Sequence, residues 1–456
     1  MSRVGREVGK RGSREVGQGR LVRVLTTRFF IVLSLSLCSS DLIATEASPV
    51  TSSPPPGLPA SPPDTTLVVY LMTMGPGKQV WERFGHNAIW IHDPVNGTDE
   101  TYNYGLFDFG QEGFLLRFVQ GRMWYWMQGF PAESYVDSYR RANRSVWVQE
   151  LEIPPEARRE LQAFLEWNEL PENRYYHYDY YRDNCSTRVR DALDRALGGR
   201  LRESSTAVPT GRTFRFHTLR LTSNDPPVYT GLELGLGQPV DQPISMWEEM
   251  FLPLALRIHL RKITVPGPDG RLVPVVKSER TLFESSEPAP PPAPPSWIPA
   301  YLLGGFLIGG LAVAFGAAGR WSRPARVGFL ATTWIWWLLS GVAGLVLAGL
   351  WCCTDHSAAY RNANVLQVNL LALPLLWFGT RLAFGSERAA TPALILAVAL
   401  AALSLLGLLL ELLPSLSQVN GDIIALALPA HTGIAAAVWR LGRRQRTRRT
   451  PSRASE

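Results

Sequence analysis

Cysteine is scarce in this chain, with four among 456 residues. Cys38, Cys352 and Cys353 lie in apolar stretches. Cys185 is therefore the single thiol of a long polar region, and a disulfide framework there is excluded. Metal-binding spacings are missing too. There is no His-x-x-x-His, no Cys-x-x-Cys and no carboxylate set with ligand spacing, so neither a metal nor another cofactor is expected. No Gly-rich phosphate loop follows a strand; the glycines of 231–237 stand in the wrong context. No internal repeat is present. Positive charge is concentrated at the two ends. Residues 1–28 carry eight basic groups against two acidic ones, and residues 440–456 carry seven Arg against Glu456. The stretch between them is net acidic. The overall charge of +7 thus reports two tails and gives no sign of nucleic-acid binding.

Those tails flank hydrophobic segments. After Arg28 comes Phe29-Phe30-Ile31-Val32-Leu33-Ser34-Leu35-Ser36-Leu37, the length of a secretory h-region and short for a spanning helix. Residues 1–47 read as a signal peptide or signal anchor. Lipid attachment at Cys38 is disfavoured by the bulky Leu37 before it. Pro-rich stretches at 48–63 and 284–296 are linkers that bound a mixed-polarity domain, 64–283. Five apolar segments follow, at 297–318, 327–351, 365–384, 392–413 and 423–441, within a membrane domain of 297–441. Each approaches the roughly 20 residues that cross a bilayer. Loop one holds Arg320, Arg323 and Arg326, and loop three holds Arg381 and Arg388. Loop two has only Arg361, loop four has no Lys or Arg, and the tail at 442–456 is basic. This alternation places loops one and three and the tail in the cytoplasm, and 64–283 outside. The export signal predicts the same side for that domain.

Within 64–283, residues 67–72, 87–92, 101–104 and 146–153 read as strands. Pro154-Pro155-Glu156 opens a helix with proline in its first turn. A second helix is predicted over 186–197, with Val189, Ala192, Leu193, Ala196 and Leu197 on one face. Asp183 or Asn184 caps it, and Gly198-Gly199 end it. Residues 200–283 read as short strands and loops. The fold class is α+β, followed by an all-α membrane domain.

Cys185 thus stands at a helix start, where the helix dipole favours the thiolate and open N–H groups can hold an oxyanion. A base would come from His86, His92, His177, His217 or His259. His86 ranks first, because it begins a strand and Gly85 beside it permits close approach; His177 ranks second. A turn through Asn96-Gly97 would bring Asn103 of the next strand beside His86, to orient its ring. Met123 through Phe130, with Trp124 and Trp126, is a candidate apolar groove or lid. The polar outer loop with His356 and Asn364 faces the compartment of Cys185 and could complete the site or hold a headgroup.

Phe84-Gly85-His86, Tyr102-Asn103-Tyr104-Gly105, Arg144-Ser145-Val146 and the run from Tyr178 to Thr187 resemble the Lnb-type N-terminal periplasmic domain over about residues 65–260. The helices with Asp355-His356 and Asn362-x-Asn364 resemble that family's membrane domain. The resemblance implies a papain-like thiol fold related to the permuted NlpC/P60 group, with His86 preceding Cys185. It also implies a lipoprotein N-acyltransferase of the inner membrane, multi-pass, with its catalytic domain in the periplasm. Its partners would be a phospholipid acyl donor, a lipoprotein acceptor and the bilayer, with no nucleic acid. By that analogy Cys185 is the nucleophile and His86 the base. Asn103 as orienter and Asn184, Trp124, Trp126, His356 and Asn364 as substrate contacts extend it. The alternative is a membrane-tethered thiol hydrolase acting on cell-wall peptides or lipids. The same Cys and His would serve it, but it has no need of five membrane helices.

Overall fold

A computed structural model describes residues 67–447, except 268, 320 and 321. The signal segment, Cys38, the linker at 48–63, Arg320 and the end of the basic tail lie outside the described residues.

Eleven strands are described: β1 (Val68–Met74), β2 (His86–Asp93), β3 (Thr98–Leu106), β4 (Trp124–Pro131), β5 (Val146–Leu151), β6 (Tyr175–His177), β7 (Pro209–Thr213), β8 (Pro243–Ser245), β9 (Thr264–Pro266), β10 (Leu272–Pro274) and β11 (Val276–Phe283). Seven of them form one sheet in the order β11-β5-β1-β2-β3-β4-β6, every pair antiparallel. Central β1 is mostly buried, as its run of Val, Tyr, Leu and Met requires. The predicted turn joins β2 to β3. Gly97 takes a positive φ there, and the Asp93 carboxylate accepts from the N–H groups of Val95 and Asn96.

The sheet is covered on both faces. On one face lie Leu71, Ile89, Ile91 and Tyr102, which pack against Val189, Ala192 and Leu193 of the Cys185–Ala196 helix. Each fully buried Val or Leu stabilises by roughly 1.5–3 kcal/mol. On the other face Met72, Met74 and Ala88 meet Val136 of the Ala132–Arg141 helix. The helix of Cys185 begins one residue earlier than the periodicity predicts. It ends where Gly198 and Gly199 turn left-handed.

Residues 200–283 differ from expectation. They include helices at Arg200–Ser205, Phe214–Thr222, Pro226–Gly235, Met246–Glu249 and Pro253–Leu260. Their apolar residues divide between the main core, with Leu201, Met246, Trp247, Leu256 and Leu260, and a local core around Phe214, Leu236, Phe251 and Leu252, and no clean amphipathic stripe marks them in the sequence.

Among the described residues, five segments are long and apolar enough to cross a membrane: Ile298–Gly319, Arg323–Cys353, Ala363–Ala383, Glu387–Leu410 and Gly421–Arg443. The third is not one helix. Its α-helical part, Leu373–Ala383, spans about 17 Å at 1.5 Å per residue, short of the roughly 30 Å hydrocarbon core. Two 3₁₀ turns precede it, at Ala363–Leu366 and Leu370–Ala372. Asn362, Asn364 and Gln367 are buried in this irregular stretch. Such backbone is tolerated at the membrane because protein surrounds it.

Candidate active site

Asn184 has extended backbone and caps the Cys185–Ala196 helix. Its Oδ1 accepts from the N–H of Ser186 at 2.8 Å and of Thr187 at 2.9 Å. Its Nδ2 donates to the carbonyls of Tyr180 and Phe251 at 2.9 and 3.0 Å. Asn184 is thus fully engaged in holding the loop that presents Cys185. The Ser186 hydroxyl donates to the Met250 carbonyl at 2.7 Å and accepts from Asn87 Nδ2 at 3.0 Å. Thr73 Oγ1 donates to Asn87 Oδ1 at 2.9 Å, so β1, β2 and the helix start are joined by one buried chain.

Cys185 sits where β2 and β3 part. Their ladder stops at Ala88–Asn103. Beyond it, the backbone N–H of Asn87 meets the thiol, as do those of Ser186 and Cys185 itself. Gly105 closes the gap from β3. Its φ is +92°, and a Cβ built there would stand 3.0 Å from Cys185 Cβ, so a side chain would displace Cys185. Gly85 does similar service before His86, with φ +82° and a would-be Cβ 2.8 Å from the Met74 carbonyl.

Register puts His86 on the same face as Ala88 and Asn103. His86 Nε2 lies 3.0 Å from Asn103 Oδ1. That oxygen also accepts from the Tyr135 hydroxyl, which lies 3.1 Å from the Tyr139 hydroxyl. An amide oxygen only accepts, so Nε2 carries the ring proton and Nδ1 keeps the lone pair. Asn103 Nδ2 donates back to the Thr101 carbonyl at 3.3 Å, which fixes the amide. Behind the tyrosines, Arg144 lies 4.6 Å over the Tyr139 ring.

The electrostatics reverse one expectation. Burial pushes the Cys185 thiol up to about 11, against the three N–H groups and Arg144, which pull it down. The helix start therefore does not hold a resting thiolate; desolvation outweighs it. Burial, then the charge of Arg144, lowers His86 to about 4, opposed by its bond to Asn103. At neutral pH Cys185 rests as a thiol and His86 as a neutral imidazole.

The other histidines lie elsewhere. His92 pairs with Asp99 at 2.9 Å, and His177 lies 4.0 Å from the Trp124 ring. His217 and His259 both bind Glu249, at 2.9 and 2.6 Å. Met123 through Phe130 is no lid. Most of it is β4, with Tyr125 and Met127 turned into the core, Trp124 exposed beside His177, and Trp126 bonded to Gln128 at 3.3 Å. His356 lies 2.9 Å from the Phe118 carbonyl and stacks near Tyr180, 6.2 Å between centroids. Asn364 is buried; its Nδ2 donates to the carbonyls of Glu233 and Leu234 at 2.9 and 3.1 Å. It therefore docks the outer domain and is turned away from solvent.

Two groups of residues escaped the sequence reading. One is Tyr135 and Tyr139, whose i,i+4 spacing on a helix was a legible signal. The other is the aromatic set of Phe107, Phe114 and Phe118, which continues through Tyr125 to Tyr178 beside Cys185.

No curated protein and no solved structure matches the chain. Residues 61–224 match a family model described as the Lnb N-terminal periplasmic domain. That segment holds His86, Asn103 and Cys185, and five apolar segments follow it, an arrangement that fits an Lnb-type two-domain architecture.

Proposed function

We propose that this protein is a lipoprotein N-acyltransferase of the inner membrane that works through a thioester on Cys185. The observation that carries the reading is the placement of Cys185, at a capped helix start, against the backbone N–H of Asn87, the residue after His86, in a domain built onto membrane helices. A Cys at a helix start, packed on an antiparallel sheet that carries a His, supports a papain-like description of the domain.

The sulfur attacks a phospholipid ester carbonyl as His86 Nδ1 takes the thiol proton. The N–H groups of Cys185 and Asn87 hold the oxyanion. Collapse breaks the C–O bond, His86 returns the proton to the leaving alkoxide, and a lysophospholipid departs. The α-amino group of a lipoprotein's N-terminal cysteine then attacks the thioester. His86 accepts a proton from that amine and delivers it to the departing sulfur, which restores the thiol. A neutral pair suits this cycle, because the proton moves only as each bond forms. Asn103 positions the ring and is itself held by Tyr135.

The test is the mass of a lipoprotein N-terminal peptide made with and without Cys185→Ala. Loss of the amide-linked chain supports the reading, and full N-acylation in the variant overturns it.

A further inference from the structure

The outer domain exposes a small apolar patch beside the site. Trp81, Phe109, Leu115 and Leu116 are 47, 58, 57 and 62 % exposed. Trp81 and Phe109 are ring neighbours at 5.7 Å, and Phe109 meets Phe114 at 5.3 Å. Leu115 and Leu116 stand on the short helix Phe114–Gln120. Two adjacent exposed leucines beside two exposed rings call for an apolar partner.

The depth of this helix is fixed by the membrane domain. Its last residue, Gln120, accepts at its carbonyl from the N–H of Asp355 at 2.8 Å. Asp355 stands two residues beyond the Arg323–Cys353 span. Arg122 clasps the Asp355 carboxylate at 2.5 Å, and His356 meets the Phe118 carbonyl. Trp351, exposed near the end of that span, marks the level of the interface. A helix fastened here lies at headgroup height, where exposed leucines and rings are driven into the acyl layer.

Behind the patch runs a path of rings. Phe107 lies 5.1 Å from Phe109 and 5.0 Å from Tyr125, and Tyr125 stacks on Tyr178 at 4.1 Å. Phe107, Tyr178 and Cys185 pack against one core cluster.

We propose that Trp81, Phe109, Leu115 and Leu116 seat in the periplasmic leaflet of the bilayer that holds this protein's own helices, and that the ring path behind them admits an acyl chain to Cys185. The leaflet contact stands independently of the chemistry; the admission of a chain rests on the acyl-transfer reading.

The full chain, with Cys38, Cys352 and Cys353 changed to Ser and Cys185 to Ala, is placed in phosphatidylethanolamine–phosphatidylglycerol vesicles. A nitroxide is attached at Leu116→Cys, or at Val95→Cys in the exposed turn at the far end of β2. Collisions with oxygen should dominate at position 116, and collisions with a water-soluble nickel chelate at position 95. Equal nickel access at the two positions overturns the leaflet contact. In the enzyme with its thiol, L115E with L116E should lower transfer from bilayer phospholipid about tenfold, as loss of interfacial insertion predicts. Acylation of Cys185 by a short, water-soluble ester should stay unchanged. An equal fall with both donors overturns the admission path. If position 116 is inserted but Cys185→Ala keeps full transfer, the leaflet contact stands and the acyl-transfer reading falls.

Discussion

Two histidine clusters lie on either side of the segment from Trp247 to Pro253, and they are built on opposite principles. His86 has a neutral amide and two tyrosines for partners, with the positive Arg144 beyond. His217 and His259 share the buried carboxylate of Glu249. An amide orients an imidazole without inviting a second proton, so the ring keeps a lone pair for a thiol. A carboxylate between two imidazoles locks all three groups together. Burial alone would raise the Glu249 carboxyl, but the bonds from His217 and His259 outweigh it and hold it well below the usual carboxylate range. On the proposed reading the first cluster serves proton transfer and the second bracing. What the second braces is the first site. The carbonyls of Met250 and Phe251 hold Ser186 and Asn184, and that of Pro253 lies 3.5 Å from Asn87 Nδ2.

The comparison breaks most sharply with His86→Ala, which should lower transfer ~10³-fold, the scale of a lost general base, and leave Tm nearly unchanged. His217→Ala should do the reverse. Parallel turnover and melting measurements on the two variants decide it. Glu249→Gln removes the charge shared by two buried rings. It should cost about 3 kcal/mol of stability by denaturant titration, with KM unchanged in the protein that remains folded. An unchanged melting curve would show that this cluster braces nothing. Asn103→Ala leaves His86 without its orienting acceptor and should cost about tenfold to a hundredfold in kcat. Tyr135→Phe should cost only a few-fold, because Asn103 Oδ1 keeps its bond from the ring.

Acid sharpens the same contrast. The rate should fall on the acid side with a midpoint near His86's depressed value of about 4, far below the ordinary 6.5. A midpoint near 6.5 in a pH–rate profile would count against the neutral pair. For stability, the folded chain binds protons more weakly at both His86 and Glu249 than the unfolded chain does. Stability therefore rises with pH at each. The contribution of His86 is complete above 6.5 and lost as pH falls toward 4. That of Glu249 is complete above 4.5 and lost below it. Glu249→Gln should remove the lower window.

Much of the site was legible because local chemistry wrote it. The capped start of the Cys185 helix, the turn at Asn96-Gly97 and the strand of His86 each carry short-range signals, and the turn fixed Asn103 on the face of His86. Burial was not legible. The sequence places Cys185 at a helix dipole but does not show how deeply the thiol is enclosed, so the direction of its shift was misread. The helix end at Met250 and Phe251 was invisible for another reason. It acts through main-chain carbonyls, which every residue possesses. The run from Met123 to Phe130 was misjudged because aromatic density does not reveal which alternate residues face the core. That role of apolar access falls to Phe107, Phe109 and Phe114, from a loop and a short helix with no periodic pattern.

Asn362 and Asn364 close the last carbonyls of the Pro226–Gly235 helix, at Glu233, Leu234 and Gly235. Gln238 donates to the Leu416 carbonyl from the same neighbourhood. These bonds join the outer domain to two separate membrane loops. A body pinned at two points cannot rise or tilt freely, so the elevation of Cys185 over the leaflet is set by the fold. On the acyl-transfer reading, the protein is then a gauge of reach. It should serve amines carried close to their own lipid anchor and pass over those held far above it.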